Sequence, residues 1–83
     1  MPENQELKVG REFFFTAKDF ERVRKLIYAH AGISLSDSKQ ELVYSRLSRR
    51  LRATGISTFG AYLTLLENND PVEWEAFTNS LTT

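Results

Sequence analysis

A chain of 83 residues, 41% hydrophobic and 27% charged, has the size and mix of one small globular domain. It contains no cysteine, which excludes disulfides and thiolate metal sites. Lysine plus arginine equals aspartate plus glutamate at 11 each, which argues against a general nucleic-acid binder, and no apolar run approaches the ~20 residues needed to cross a bilayer.

The N-terminal stretch "MPENQELKVGRE" is polar, lacks the apolar centre of a signal peptide, and reads as a flexible leader over 1–12. A domain is expected over 13–83. The first helix starts at Thr16, a cap with Asp19 three residues on, and Phe15 and Phe20 are placed to form a hydrophobic staple. Phe20, Val23, Leu26, Ile27 and Ala31 then share one side at helical spacing, and Gly32 stops the helix. The second helix begins within "SLSDSK", where Ser36, Asp37 and Ser38 are all suitable caps, and ends at Gly55. Val43, Tyr44, Leu47 and Leu51 form its apolar arc. A neighbouring arc gathers Lys39, Arg46, Arg49 and Arg50, with Leu42 among them and Arg52 on the flank.

Ser57 is expected to open a third helix whose buried stripe is Phe59, Tyr62, Leu63 and Leu66. A fourth follows, with Asp70 as cap, Pro71 at the first helical position and Glu73 completing a box-like pattern; Trp74, Phe77 and Leu81 form its stripe. No segment alternates with period two. The expectation is an all-α, compact four-helix domain. The fourth helix runs into "SLTT", which reads as a piece cut from a longer protein.

Charge is segregated along this neutral chain. Residues 39–52 carry Lys39, Arg46, Arg49, Arg50 and Arg52 against Glu41 alone, whereas 67–83 carry Glu67, Asp70, Glu73 and Glu75 with no base. Catalytic equipment is missing: there is no cysteine, one histidine and no glycine-rich loop after a strand. His30 is expected to be a partly buried residue interacting with the end of its helix. Trp74 and Phe77 are expected in the core, and Glu73 and Glu75, two apart and on different faces, are expected to be solvated and to bind no metal.

The run "AGISLSDSKQELVYSRLSRRLRATGISTFGAYLTLLE", together with the terminal "LTT", resembles the N-terminal helical domain of CheR-type chemotaxis receptor methyltransferases. The matching features are the Gly-Ile-x-Leu turn at 32–35, Lys39, "RLSRRLR" at 46–52 and the Phe59–Tyr62 segment. The resemblance implies a cytoplasmic parent in which a linker and an S-adenosylmethionine-binding catalytic domain follow this one. It implies methyl transfer to glutamates on the cytoplasmic helices of methyl-accepting chemoreceptors. The family's first cofactor contacts lie just beyond "LTT", so the resemblance places no cofactor ligand within these residues, and the isolated piece is expected to be inactive.

On that reading Lys39, Arg46, Arg49, Arg50 and Arg52 are expected to dock acidic receptor helices, and the domain's other partner is its own catalytic domain. Internal neutralisation of the same arginines by the acidic fourth helix is the competing reading. An alternative function is a module bound by a separate regulatory protein. A helix-turn-helix built around "TGIS" is disfavoured, because the third helix has no arginine or lysine and carries Glu67.

Overall fold

The structure is a computed structural model that describes residues 12–82. Helices α1 (Ala17–Ala31), α2 (Gln40–Thr54), α3 (Phe59–Glu67) and α4 (Pro71–Thr82) account for most of them, with no strand among the described residues. Helix α2 packs on α4, and α1 on α3. The leader expected over 1–12 falls outside the described residues except for Glu12. That residue is held: the backbone N–H groups of Glu12 and Phe13 both donate to the Tyr44 hydroxyl, at 2.8 and 3.0 Å.

Local chemistry sets most helix ends. The Thr16 hydroxyl accepts from the Asp19 N–H while the Asp19 carboxylate accepts from the Thr16 N–H, closing a reciprocal cap at 3.1 and 3.0 Å. The rings of Phe15 and Phe20 meet edge-on at 6.4 Å. Gly55 ends α2 in the left-handed region (φ 76°), where the Gly55 N–H donates to the Arg52 carbonyl and the Ile56 N–H to that of Leu51. That bond pair is a Schellman closure, which absorbs two otherwise unpaired carbonyls. At α4, the Asp70 carboxylate accepts from the N–H groups of Val72 and Glu73, both at 3.1 Å.

Two starts differ from expectation. Helix α3 is capped by Thr58 and not Ser57: Thr58 has extended backbone angles and its hydroxyl accepts from the Ala61 N–H at 3.1 Å. Starting at Phe59 turns Phe59, Tyr62, Leu63 and Leu66 inward together. The three candidate caps of α2 are set aside because the chain enters through a 3-10 turn, Asp37–Lys39. No side chain caps that turn or α2. The Ser36 and Ser38 hydroxyls bond each other at 2.9 Å, and Asp37 accepts from Arg24 at 2.8 Å.

The core joins Phe20, Val23 and Ile27 of α1 to Val43, Leu47 and Leu51 of α2, the four inward residues of α3, and Trp74 and Phe77 of α4. Trp74 satisfies its buried indole N–H on the Leu66 carbonyl at 2.7 Å. Ahead of α1, Phe13 and Phe15 pack against the core while Phe14 between them is 84% exposed. Ala31, expected on the apolar side of α1, is exposed at its last position.

Candidate docking face on the second helix

The five basic residues expected to act together occupy four different environments. Arg50 is turned toward α4. Its Nε and Nη2 donate to the two carboxylate oxygens of Glu73 at 2.8 and 2.9 Å, a parallel fork. The Tyr62 hydroxyl donates to Glu73 Oε2 at 2.6 Å, so α2, α3 and α4 converge on one carboxylate. Glu73 is 5% exposed, which corrects the expectation that it is solvated; Glu75 is exposed. Nor does Glu73 reach back to its own helix start. At position 73 it lies one turn before Phe77 on the inward side, where a carboxylate survives only with partners.

These contacts tune all three groups. Burial pushes the Glu73 carboxyl up, but the hydrogen bonds from Arg50 and Tyr62 and the Arg50 charge outweigh it and hold the carboxyl below the usual range. Burial, reinforced by the bond to Glu73, raises the Tyr62 phenol well above its ordinary value. The Glu73 hydrogen bond likewise raises the Arg50 guanidinium.

Arg46 donates through Nη1 to the Ser80 carbonyl at 3.2 Å, covering a carbonyl in the last turn of α4. Arg52 pairs through Nε with Glu12 at 2.8 Å, both about half exposed. Lys39 and Arg49 are exposed, and neither forms an ion pair with a described residue. Arg46 and Arg49 line a groove of about 500 Å3 with Asn79 and Ser80, between α2 and α4.

The acidic segment is distributed among separate tasks. Glu67 pairs with Arg22 of α1 at 3.0 Å, Asp70 caps α4 and Glu73 is internal. His30 is exposed, where partial burial was expected, in the last turn of α1, and stacks on Trp74 with ring centroids 4.1 Å apart. The pair sits on a second groove of about 490 Å3 that includes Asn69, Pro71, Glu75 and Thr78. Among the described residues no three His, Asp or Glu side chains are disposed to hold a metal ion, and no helix is long and apolar enough to cross a membrane.

The pairing of Arg50 with Glu73 realises, for one arginine, the competing reading of internal neutralisation by the fourth helix; sequence reasoning missed the burial of Glu73 with Tyr62 as a further donor. Its signal was the position of Glu73 at i and Phe77 at i+4 on one inward face, beside an arginine whose projection borders Val43.

A family model described as "CheR methyltransferase, all-alpha domain" matches residues 18–82. Similar curated proteins include a chemotaxis protein methyltransferase of Salmonella typhimurium, 55% identical over 78 residues, covering 93% of this chain and 27% of that protein. Another, from Escherichia coli, is 57% identical over 65 residues, covering 77% of this chain and 23% of its own length. Chemotaxis protein methyltransferase 2 of Pseudomonas aeruginosa is 49% identical over 74 residues, with 89% and 26% covered. The chain thus spans about a quarter of the length of the curated relatives it matches.

Proposed function

This chain belongs to the CheR methyltransferase family through its all-alpha domain, and on that premise we propose that it is the substrate-recognition part of a cytoplasmic chemotaxis methyltransferase. The whole protein transfers a methyl group from S-adenosylmethionine to glutamates of methyl-accepting chemoreceptors. Cofactor binding and bond chemistry belong to the catalytic domain of the parent, and this domain by itself is inactive.

The observation that carries the proposal is the state of Lys39 and Arg49. They stand exposed, Lys39 in the turn that leads into α2 and Arg49 on α2 itself, and neither has an acid among the described residues to neutralise it, whereas Arg50 and Arg52 have theirs. Their partner is the acidic surface of the receptor's cytoplasmic helices. Arg46 borders the same groove, Arg52 stands at the margin, and Arg50 serves by holding α2 against α4. Exposed ion pairs contribute about 0.2–1 kcal/mol each. Docking is therefore weak, orienting and salt-sensitive, which suits an enzyme that visits many glutamates.

The test reverses Lys39 and Arg49 in the parent, as Lys39→Glu with Arg49→Glu. Arg50 is left intact because its loss would unpair Glu73. Receptor methylation falls at least about tenfold while S-adenosylmethionine affinity stays unchanged. Unchanged methylation overturns the proposal.

A further inference from the structure

Val43, Leu47 and Leu51 seat α2 in the core, and all three are fully buried aliphatic side chains. Apolar packing supplies attraction but little direction: cores repacked with other apolar residues lose their unique arrangement before they lose stability. The start of α2 adds no direction either, since no side chain caps it or the Asp37–Lys39 turn ahead of it. Direction comes from a polar contact farther along the helix. The Arg50 guanidinium and the Glu73 carboxylate, with side chains 27% and 6% exposed, share two parallel bonds. A fork of that kind fixes angle as well as distance.

Glu73 is itself fastened twice. Its backbone N–H donates to the Asp70 carboxylate at 3.1 Å, which ties it into the first turn of α4, and its Oε2 accepts from the Tyr62 hydroxyl at 2.6 Å. The fork therefore refers the rotation of α2 to a fixed point on α4. Arg49 is the residue before Arg50, about 100° away around the axis. At the surface of a helix ~10–12 Å across, a rotation of about 20° carries a side chain about 2 Å sideways. That is enough to break a hydrogen bond.

Stability alone does not explain an ion pair at this place. Exchanging a buried pair for apolar residues of similar volume is often neutral or stabilising, and apolar side chains cannot supply the angle of the fork. We infer that Arg50 and Glu73 are positioning residues for receptor methylation, holding α2 at the rotation that offers Arg49 to the receptor. The inference rests on the reading of α2 as the docking face. It gives a role in the reaction to two residues that lie behind that face.

The test uses the whole parent methyltransferase and a cytoplasmic receptor fragment, at a temperature where circular dichroism shows every variant folded. Arg50→Met with Tyr62→Phe and Glu73→Leu keeps the site filled but removes the fork. KM for the receptor rises about fivefold, while kcat and S-adenosylmethionine affinity stay unchanged. Tyr62→Phe with Glu73→Leu keeps Arg50 and its charge, and KM rises as much, because the freed guanidinium no longer sets the rotation; this pair also carries the test if the triple variant fails to fold. Ile27→Val thins the core on α1 and leaves the fork alone, so Tm falls while KM keeps its wild-type value.

The positioning role is overturned if both fork-less variants keep the wild-type KM, or if KM rises with falling Tm in Ile27→Val as well. It is also overturned if KM rises only where Arg50 is lost, since Arg50 would then be a receptor contact itself. Lys39→Glu with Arg49→Glu in the same assay checks the reading beneath: unchanged methylation there removes the docking face and the positioning role together. Lost methylation there, with wild-type KM in the fork-less variants, leaves docking standing and removes the positioning role alone.

Discussion

Arg50 and Glu73, 23 positions apart, meet through two hydrogen bonds of 2.8 and 2.9 Å and fasten α2 to α4. Tyr62 brings α3 to the same carboxylate. An arginine in the middle of an otherwise outward-looking basic run is thereby committed to the interior. The pairing fixes the rotation of α2, and with it which of its residues reach solvent.

Breaking the pair on one side leaves a charge without its partner in a site that is nearly closed. Glu73→Ala or Arg50→Ala is expected to cost about 3 kcal/mol, a fall of roughly 15 °C in Tm for a domain of this size. Replacing all three members by apolar residues, Arg50→Met with Tyr62→Phe and Glu73→Leu, recovers most of that loss, because no uncompensated polar group remains. Thermal unfolding followed by circular dichroism distinguishes the two sets.

Stability depends on pH at both ends of the range through the same network. The Glu73 carboxyl lies below 4.5 in the folded chain. As pH falls the unfolded chain takes the proton first, so the stabilisation is complete above about pH 5 and is lost as pH drops through the folded value. Tyr62 behaves oppositely: its phenol is raised above 10.0, so its contribution is present below that pH and declines as pH rises beyond it. Urea midpoints from pH 3 to 11 show both slopes. Glu73→Gln flattens the acid limb and Tyr62→Phe the alkaline one.

Four helix ends were legible because their chemistry is local: Thr16 with Asp19, Gly32, Gly55 and Asp70 each act within a few residues. The core stripes were legible because periodicity alone turns Val43, Leu47 and Leu51 to one side. Arg50 was not, since a helical projection gives the angle of a side chain without saying where the neighbouring helix stands. Glu73 carried two competing assignments, a reach back toward its own N-terminus or a reach across to α2. Only the packing of α2 on α4 decides between them. His30 was displaced for the same reason: its ring finds Trp74, a residue of another helix.

The glycines give a pair of predictions with opposite sign. Gly55 has φ 76° and open space where a Cβ would stand, so Gly55→Ala meets no clash but suffers the left-handed backbone strain. It is expected to lose about 1 kcal/mol, and Gly55→Asn less. Gly60 lies within α3 with nothing near its missing Cβ and no positive φ. Gly60→Ala is therefore expected to gain about 0.5 kcal/mol through helix propensity. Urea unfolding of the two variants side by side checks the difference.

Trp74 is the single tryptophan, so its fluorescence reports on one place. Its indole is held from two directions, by stacking with His30 at 4.1 Å and by an edge-on contact with Phe77 at 5.3 Å. His30→Ala removes only the first and opens the groove side of the ring to water. Emission is expected to move to longer wavelength and quenching by iodide to increase, while the bond to Leu66 keeps the indole seated. The accompanying loss of stability is about 1 kcal/mol or less, since the imidazole is itself exposed. A spectrum unchanged from wild type would mean that His30 does not shield the ring in solution, and the stack would then contribute nothing to holding α1 against α4.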